Sequence, residues 1–279
     1  MALNPGVVEF AAFCDLRREV AEAIARQYGV PRYYTDIDDM LKEEAIDGCI
    51  AVTPIPATAR VAGQLIGAGI PLLMEKPPGA SLKEAEAICA LVEEHRARVM
   101  VSMNRRFDPS VAAACAWRGG RPIERIRATM LRHNRRDTDF FFGTAIHSVD
   151  ALRRLAGDVG RAAATSRLVD GVRWYRVNLE FASGADGTLD VAPTCGSTEE
   201  SYEVFGPGYR VRARVGVGDG GEFVAWENGS VARREEPAAG LPPFVVNGAY
   251  GETVEFISAL LENRAPHPTP AEVLPSVEL

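Results

Sequence analysis

The segment GCIAVTPIPATARVAGQLIGAGIPLLMEKPP, residues 48–78, decides the fold. Gly48 to Val52 is a continuous apolar run of the kind buried on both faces of a parallel sheet, and Thr53-Pro54 ends it. Ala57 to Ala68 follows with a helical pattern, Gly69 closes it, and Pro71 to Met74 is a second apolar run that stops at Glu75-Lys76. Strand, helix and strand in that order make one unit of a parallel sheet covered by helices. The pattern continues outward on both sides. Ser81 precedes a helix from Leu82 to His95 with Glu84 placed for a capping box, and Val99 to Ser102 reads as a further strand. Toward the amino end, Val7 to Cys14 reads as a strand ended by Asp15, Arg17 to Tyr28 as a helix stopped by Gly29, and Tyr33-Tyr34 as a short strand before a small helix around Met40 and Leu41. Right-handed crossovers then give a doubly wound α/β domain that ends near Arg105.

Beyond that point strands and helices segregate. Ile123 to His133, Val172 to Phe181, Gly187 to Ala192, Ser201 to Phe205, Tyr209 to Val215, Phe223 to Glu227 and Val231 to Arg233 are strand candidates broken by Gly-rich turns. Helices are expected from about Thr144 to Ala156 and from Tyr250 to Asn263, and Pro266, Pro268 and Pro270 read as a short rigid tail. The expected division is 1–105, an incomplete Rossmann-like domain, and 106–279, an α+β domain with a mostly antiparallel open sheet.

The chain of 279 residues has a formal net charge of −7 and no basic block, which argues against nucleic acid and anionic lipid as partners. No apolar run reaches the ~18 residues of a membrane span, because Gln64, Gly67, Gly69 and Pro71 interrupt the longest uncharged stretch. The first thirteen residues carry no Lys or Arg, so a secretory leader is not visible and a cytoplasmic chain is expected. Cys14, Cys49, Cys89, Cys115 and Cys195 are odd in number and scattered without a C-x-x-C pair, which points to reduced thiols rather than to a zinc site or disulfides.

A dinucleotide-binding sheet carries G-x-G-x-x-G in its first turn, where glycines admit the pyrophosphate to backbone amides. The only literal match is Gly216 to Gly221, which lies between two antiparallel strand candidates with no helix after it and reads as a hairpin turn. Asp15, at the tip of a strand, suits hydrogen bonds to the hydroxyls of an adenosine ribose. The plainer reading is that it caps the following helix, a common job for Asp, and both can hold at once.

Several segments together resemble the Gfo/Idh/MocA family of nicotinamide-dependent oxidoreductases. They are Phe13-Cys14-Asp15, Tyr28 to Pro31 with Tyr34-Thr35-Asp36, Thr53-Pro54, Gly69 to Pro77, Asn104 to Phe107 and His147 to Asp150. The resemblance implies an enzyme that moves a hydride between NAD or NADP and a hydroxyl-bearing carbon of a sugar, cyclitol or related small molecule. It implies Asp15 at the adenosine ribose, Thr53, Pro54 and Asn104 beside the nicotinamide, Glu75 and Lys76 at the transfer site, and His147 facing the substrate. It also implies a homo-oligomer built through the open sheet. The chemistry is coherent, because an alcohol loses its hydroxyl proton as hydride leaves carbon, and a buried lysine or a neutral histidine can take that proton. The plain alternatives are a loop lysine at 76, a half-buried histidine at 147, and Arg105 and Arg106 as linker residues.

Two departures from the family pattern stand out. Four residues before His147 the family often has an aspartate, but this chain has Gly143, and Asp137 and Asp139 are the candidate substitutes in the preceding loop. In family terms the first strand, the glycine loop and much of the first helix are absent, so the chain reads as short by about one β-α unit at its amino end and as trimmed at its carboxyl end. Either Val7 to Cys14 then pairs with Gly48 to Val52, or a partner fills the gap, or the chain is a shortened version of a longer protein. The expectation is weak or absent NAD(P) binding by this chain. The alternatives are a cofactor-free binding or regulatory module, or a lyase or isomerase that uses Lys76 and His147 as acid and base.

Overall fold

The computed structural model describes residues 7–218 and 220–279. Its first part holds two short parallel sheets. β1 (Phe13–Cys14) pairs with β2 (Tyr33–Tyr34), and β3 (Cys49–Ala51), β4 (Leu72–Met74) and β5 (Val99–Val101) form a three-stranded parallel sheet in that order. The expected strand Val7 to Cys14 shrinks to its last two residues. It pairs with β2 and not with the 48–52 run, because a strand exists only where a neighbour completes its backbone hydrogen bonds.

Helices α1 (Arg18–Tyr28), α2 (Ile37–Glu43), α3 (Ile55–Gly67) and α4 (Leu82–His95) connect these strands. Gly29 ends α1 with φ +69°, and Asp36 caps α2 through the amides of Asp38 and Asp39. Around α4 the expected capping box is half made. Ser81 Oγ accepts from Glu84 N, while Glu84 Oε2 accepts from Ala80 N rather than from Ser81.

The three-stranded sheet is buried on both faces. Leu72, Met74, Val99 and Val101 pack against Val61, Leu65 and Ile66 of α3 and Ile88 of α4. The side chains that alternate with them, Leu73 and Met100, turn to the opposite face and meet Phe256.

Phe256 belongs to α8 (Ala249–Leu261), which follows a single turn, α7 (Pro243–Val246). The last helix, α9 (Pro270–Glu278), also returns to the first sheet, where its Val273 enters the same cluster as Leu72 and Ile88. The stretch expected as a rigid proline tail is therefore partly helix. Thr269 and Glu272 form a capping box, and Pro270 sits in the first turn, where a missing N–H costs nothing.

Between these pieces, α5 (Pro109–Arg118) and α6 (Ile146–Ala156) cover one face of an eight-stranded sheet. Its strands are β6 (Arg125–Leu131), β7 (Val159–Val169), β8 (Val172–Phe181), β9 (Asp186–Ala192), β10 (Glu199–Gly206), β11 (Tyr209–Arg214), β12 (Glu222–Glu227) and β13 (Ser230–Glu235). Their order is β13-β12-β11-β10-β6-β9-β8-β7, and every neighbouring pair is antiparallel except β6 with β9. Ile126, Ala128, Met130, Tyr202, Val211 and Leu189 face the helices, whereas the other face stays open. Gly216 and Gly218 lie in the connection between β11 and β12, so the glycine-rich match joins two antiparallel strands.

Candidate active site

Three loops leave the carboxyl ends of β3, β4 and β5, which is where open α/β sheets gather their ligands. Thr53-Pro54 follows β3, Glu75-Lys76 follows β4, and Asn104 opens a 3₁₀ turn (Asn104–Phe107) after β5. α6 adds His147, and the π-helical turn before it (Phe141–Ala145) adds the carbonyl of Gly143.

At the centre, Lys76 Nζ donates to the Gly143 carbonyl oxygen at 2.6 Å. Burial lowers the amine's proton affinity. Arg105 and Arg135 push the same way, against Glu75 and Asp139. Glu75 Oε2 accepts from the Lys76 amide N–H at 3.2 Å, which curls the carboxylate back over its own loop.

His147 is 7% exposed, and its Nδ1 is sealed from solvent without a hydrogen-bond partner. Burial drives its proton affinity well below the ordinary value, and Arg105 and Lys76 reinforce the effect over the opposing Glu200. The ring is therefore a neutral imidazole, able to accept a proton or to hydrogen-bond a substrate hydroxyl. Asp150 shares its helix but does not orient it. That carboxylate takes two bonds from Arg106, at 2.7 and 2.8 Å, and one from Ser276.

Thr53 Oγ1 lies 3.0 Å from Thr58 Oγ1, and Thr58 spends its proton on the Pro54 carbonyl at 3.2 Å. Thr53 is thus the donor of that pair and keeps its lone pairs as acceptors. The Asn104 amide is engaged at both ends, since Nδ2 donates to the Asn247 carbonyl and Oδ1 accepts from Arg105. Asp15 stands apart, at the end of β1. Its Oδ1 accepts from the Arg17 amide at 2.8 Å and from Arg17 Nε at 3.4 Å, which closes a turn ahead of α1, whose own N-cap, Arg17, makes no side-chain cap bond; the expected capping by Asp15 is not made.

Sequence reading missed the layer beneath this site. Glu200 is completely buried and takes hydrogen bonds from Arg105 Nε (2.8 Å), Arg105 Nη2 (3.0 Å), Arg132 Nη2 (2.6 Å) and the Tyr202 hydroxyl (2.8 Å). Burial alone would raise this carboxyl, but the two arginines outweigh it and hold it well below the usual carboxylate range. Arg105 and Arg106 are therefore both committed to buried ion pairs, so neither is a solvated linker residue. Glu252 of α8 is a second hidden acid, 5% exposed. Ser102 Oγ donates to its Oε2 at 2.9 Å, its Oε1 has no partner, and burial with Glu75 nearby lifts it to about 8. Only an alternation that placed Glu200 on the inward face of its strand could have exposed the first of these.

Hydroxyl, carboxylate, amide and amine groups thus stand on the three loops at the strand ends, a donor and acceptor set compatible with a nicotinamide. Among the described residues, no group of three or more His, Cys, Asp or Glu side chains is placed to hold a metal ion.

Residues 2–103 match the family model described as "Oxidoreductase family, NAD-binding Rossmann fold". The chain is 25% identical over 214 residues to D-apiose dehydrogenase of Paraburkholderia graminis, a match that covers 71% of this chain and 56% of that one. It is 27% identical over 196 residues to scyllo-inositol 2-dehydrogenase (NAD(+)) of Bacillus subtilis, covering 62% of this chain and 56% of that one. The chain thus spans just over half the length of these curated relatives. In fold it resembles the crystal structure of a dehydrogenase from Chromobacterium violaceum, with a TM-score of 0.87, 19% identity, and coverage of 97% of this chain and 84% of that one.

Proposed function

From the match of residues 2–103 to the Gfo/Idh/MocA oxidoreductase model and the likeness to its dehydrogenases, we propose that the chain is a member of that family and that its cleft transfers a hydride between a nicotinamide dinucleotide and a hydroxyl-bearing carbon of a sugar, cyclitol or related small molecule. The relatives' sugar and inositol substrates support that class. The observation that carries the reading is Lys76, an amine with weakened proton affinity at the carboxyl edge of a parallel sheet, placed near a buried neutral His147.

When bound, the dinucleotide supplies the hydride acceptor. Everything else falls to the chain's own side chains. Lys76 in its uncharged form takes the hydroxyl proton as the carbonyl forms, and becomes an ammonium that Gly143 O already holds. His147 accepts or donates a hydrogen bond to a neighbouring hydroxyl without introducing a charge. Thr53, Pro54, Glu75 and Asn104 would line the nicotinamide side, and the second oxygen of Asp15 would meet the adenosine ribose.

Among the described residues no G-x-G-x-x-G turn leads from a strand into a helix that could receive the pyrophosphate. Residues at its two ends would then hold the dinucleotide, and weak binding is expected on this reading. The same observation favours a second reading, in which Lys76 and His147 serve cofactor-free acid-base chemistry such as isomerisation or elimination. Fluorescence titration with NADH separates the two: saturable quenching supports the redox reading, and none up to millimolar cofactor supports the other.

The open face of the eight-stranded sheet, with Arg127, Arg210 and Trp226 outward, suits a second copy of the chain. Light scattering of the purified protein tests this, and a monomer at all concentrations contradicts it. Among the described residues no helix is long and apolar enough to cross a membrane.

A further inference from the structure

Lys76 spends one ammonium proton on Gly143 O, and among the described residues its Nζ has no other hydrogen-bond partner. The charged groups acting on it include Glu75, Arg105, Arg135 and Asp139, and Asp137 is coupled to it as well. Each except Asp139 is otherwise engaged. Arg105 is bound by Glu200, Arg135 makes two bonds to Asp137 (2.8 and 2.9 Å), and Glu75 accepts from a backbone amide. Asp137 is thereby consumed as a candidate, and His147 is neutral.

Asp139 is exposed, and among the described residues its carboxylate has no hydrogen bond or ion pair. The Gly143 amide donates to the Asp139 carbonyl at 2.7 Å, so the two residues stand one helical turn apart. A Cβ placed on Gly143 would lie 3.7 Å from Asp139 Oδ2 and 2.9 Å from Ile55 Cδ1. The glycine therefore leaves bare the space between the Asp139 carboxylate and the very peptide whose carbonyl holds Lys76.

We propose that Asp139 is the positioning carboxylate of the Lys76 amine, reaching it across the face that Gly143 leaves without a side chain. This rests on reading Lys76 as the cleft's proton acceptor. The negative charge favours the ammonium formed when Lys76 takes a proton, and draws it toward Gly143 O. The carboxylate comes from the turn before Gly143, and a side chain at 143 would crowd it.

The chain contains only Lys42, Lys76 and Lys83, so lysine labelled with ¹³C at Cε gives three NMR signals, of which Lys76→Arg assigns one. Asp139→Asn is expected to move the Lys76 titration to lower pH, with Lys42 and Lys83 unmoved. Asp139→Glu is expected to keep it in place, and the double variant Asp139→Asn with Gly143→Asp to bring it back. An Asp139→Asn protein whose Lys76 titrates as in the unmodified chain overturns the proposal, as does a failure of both carboxylate variants to hold the native midpoint. These measurements need no cofactor. If they succeed while no dinucleotide binds, this inference stands and the redox reading falls; if Lys76-dependent oxidation is found and the Lys76 signal ignores Asp139, the reverse holds.

Discussion

Lys76 and Gly143 are separated by 67 residues and joined by a 2.6 Å hydrogen bond, Nζ to carbonyl oxygen, which ties the loop after β4 to the turn that leads into α6. The bond orients an amine that burial has already made easier to deprotonate. The Lys76 amine is thus tied to the second half of the fold by this contact.

The ion cluster under the site makes a stability prediction. Glu200→Gln leaves Arg105 and Arg132 buried against each other without their shared counter-charge. Removing one member of a buried pair costs about 3–5 kcal/mol. Chemical denaturation is expected to show that loss, and an unchanged midpoint with an unchanged slope contradicts the assignment.

Stability should also vary with pH in two opposed ways. Glu252 is raised from the ordinary 4.5 to about 8, so the unfolded chain releases this proton first and stability falls as pH rises between those values. His147 is lowered from 6.5, so the unfolded chain takes up a proton that the folded one refuses, and stability falls as pH drops through 6.5. Glu252→Gln is expected to flatten the alkaline decline in melting temperature and leave the acid one. A variant that tracks the unmodified protein across the alkaline range contradicts this.

Dinucleotide affinity is the third expectation. Among the described residues no G-x-G-x-x-G turn leads from a strand into a helix, and on the proposed reading NADH is expected to bind more weakly than about 100 μM, short of ~5.5 kcal/mol. A titration that saturates at micromolar NADH contradicts this account of the phosphate site.

The parallel unit of residues 48–78 was legible because its period is unambiguous and its apolar runs are buried on both sides. Lys76, Glu75 and Thr53 were legible for the same reason, as the residues on which such runs end. The edge strand β7 was not, because it is exposed along nearly its whole length and shows no alternation. Helix α5 was also missed, although Asp108 before Pro109 is a cap signal that the structure uses through Ser110 N and Val111 N. Val7 to Cys14 looked like a full strand because apolar character is local, whereas pairing depends on a neighbour. Glu200 and Glu252 carry no local mark at all, and only long-range packing brings them beneath Lys76 and Glu75.

The most direct test of the central claim is dinucleotide reduction, followed by the near-ultraviolet absorbance of the reduced nicotinamide. It is run at millimolar NAD or NADP over a panel of sugars and inositols, with the unmodified chain beside Lys76→Met. The account predicts turnover by the unmodified protein, and a loss of about 10²–10⁴-fold in Lys76→Met with the fold retained. Turnover that survives undiminished in Lys76→Met, or none from the unmodified chain with any of these compounds, contradicts it.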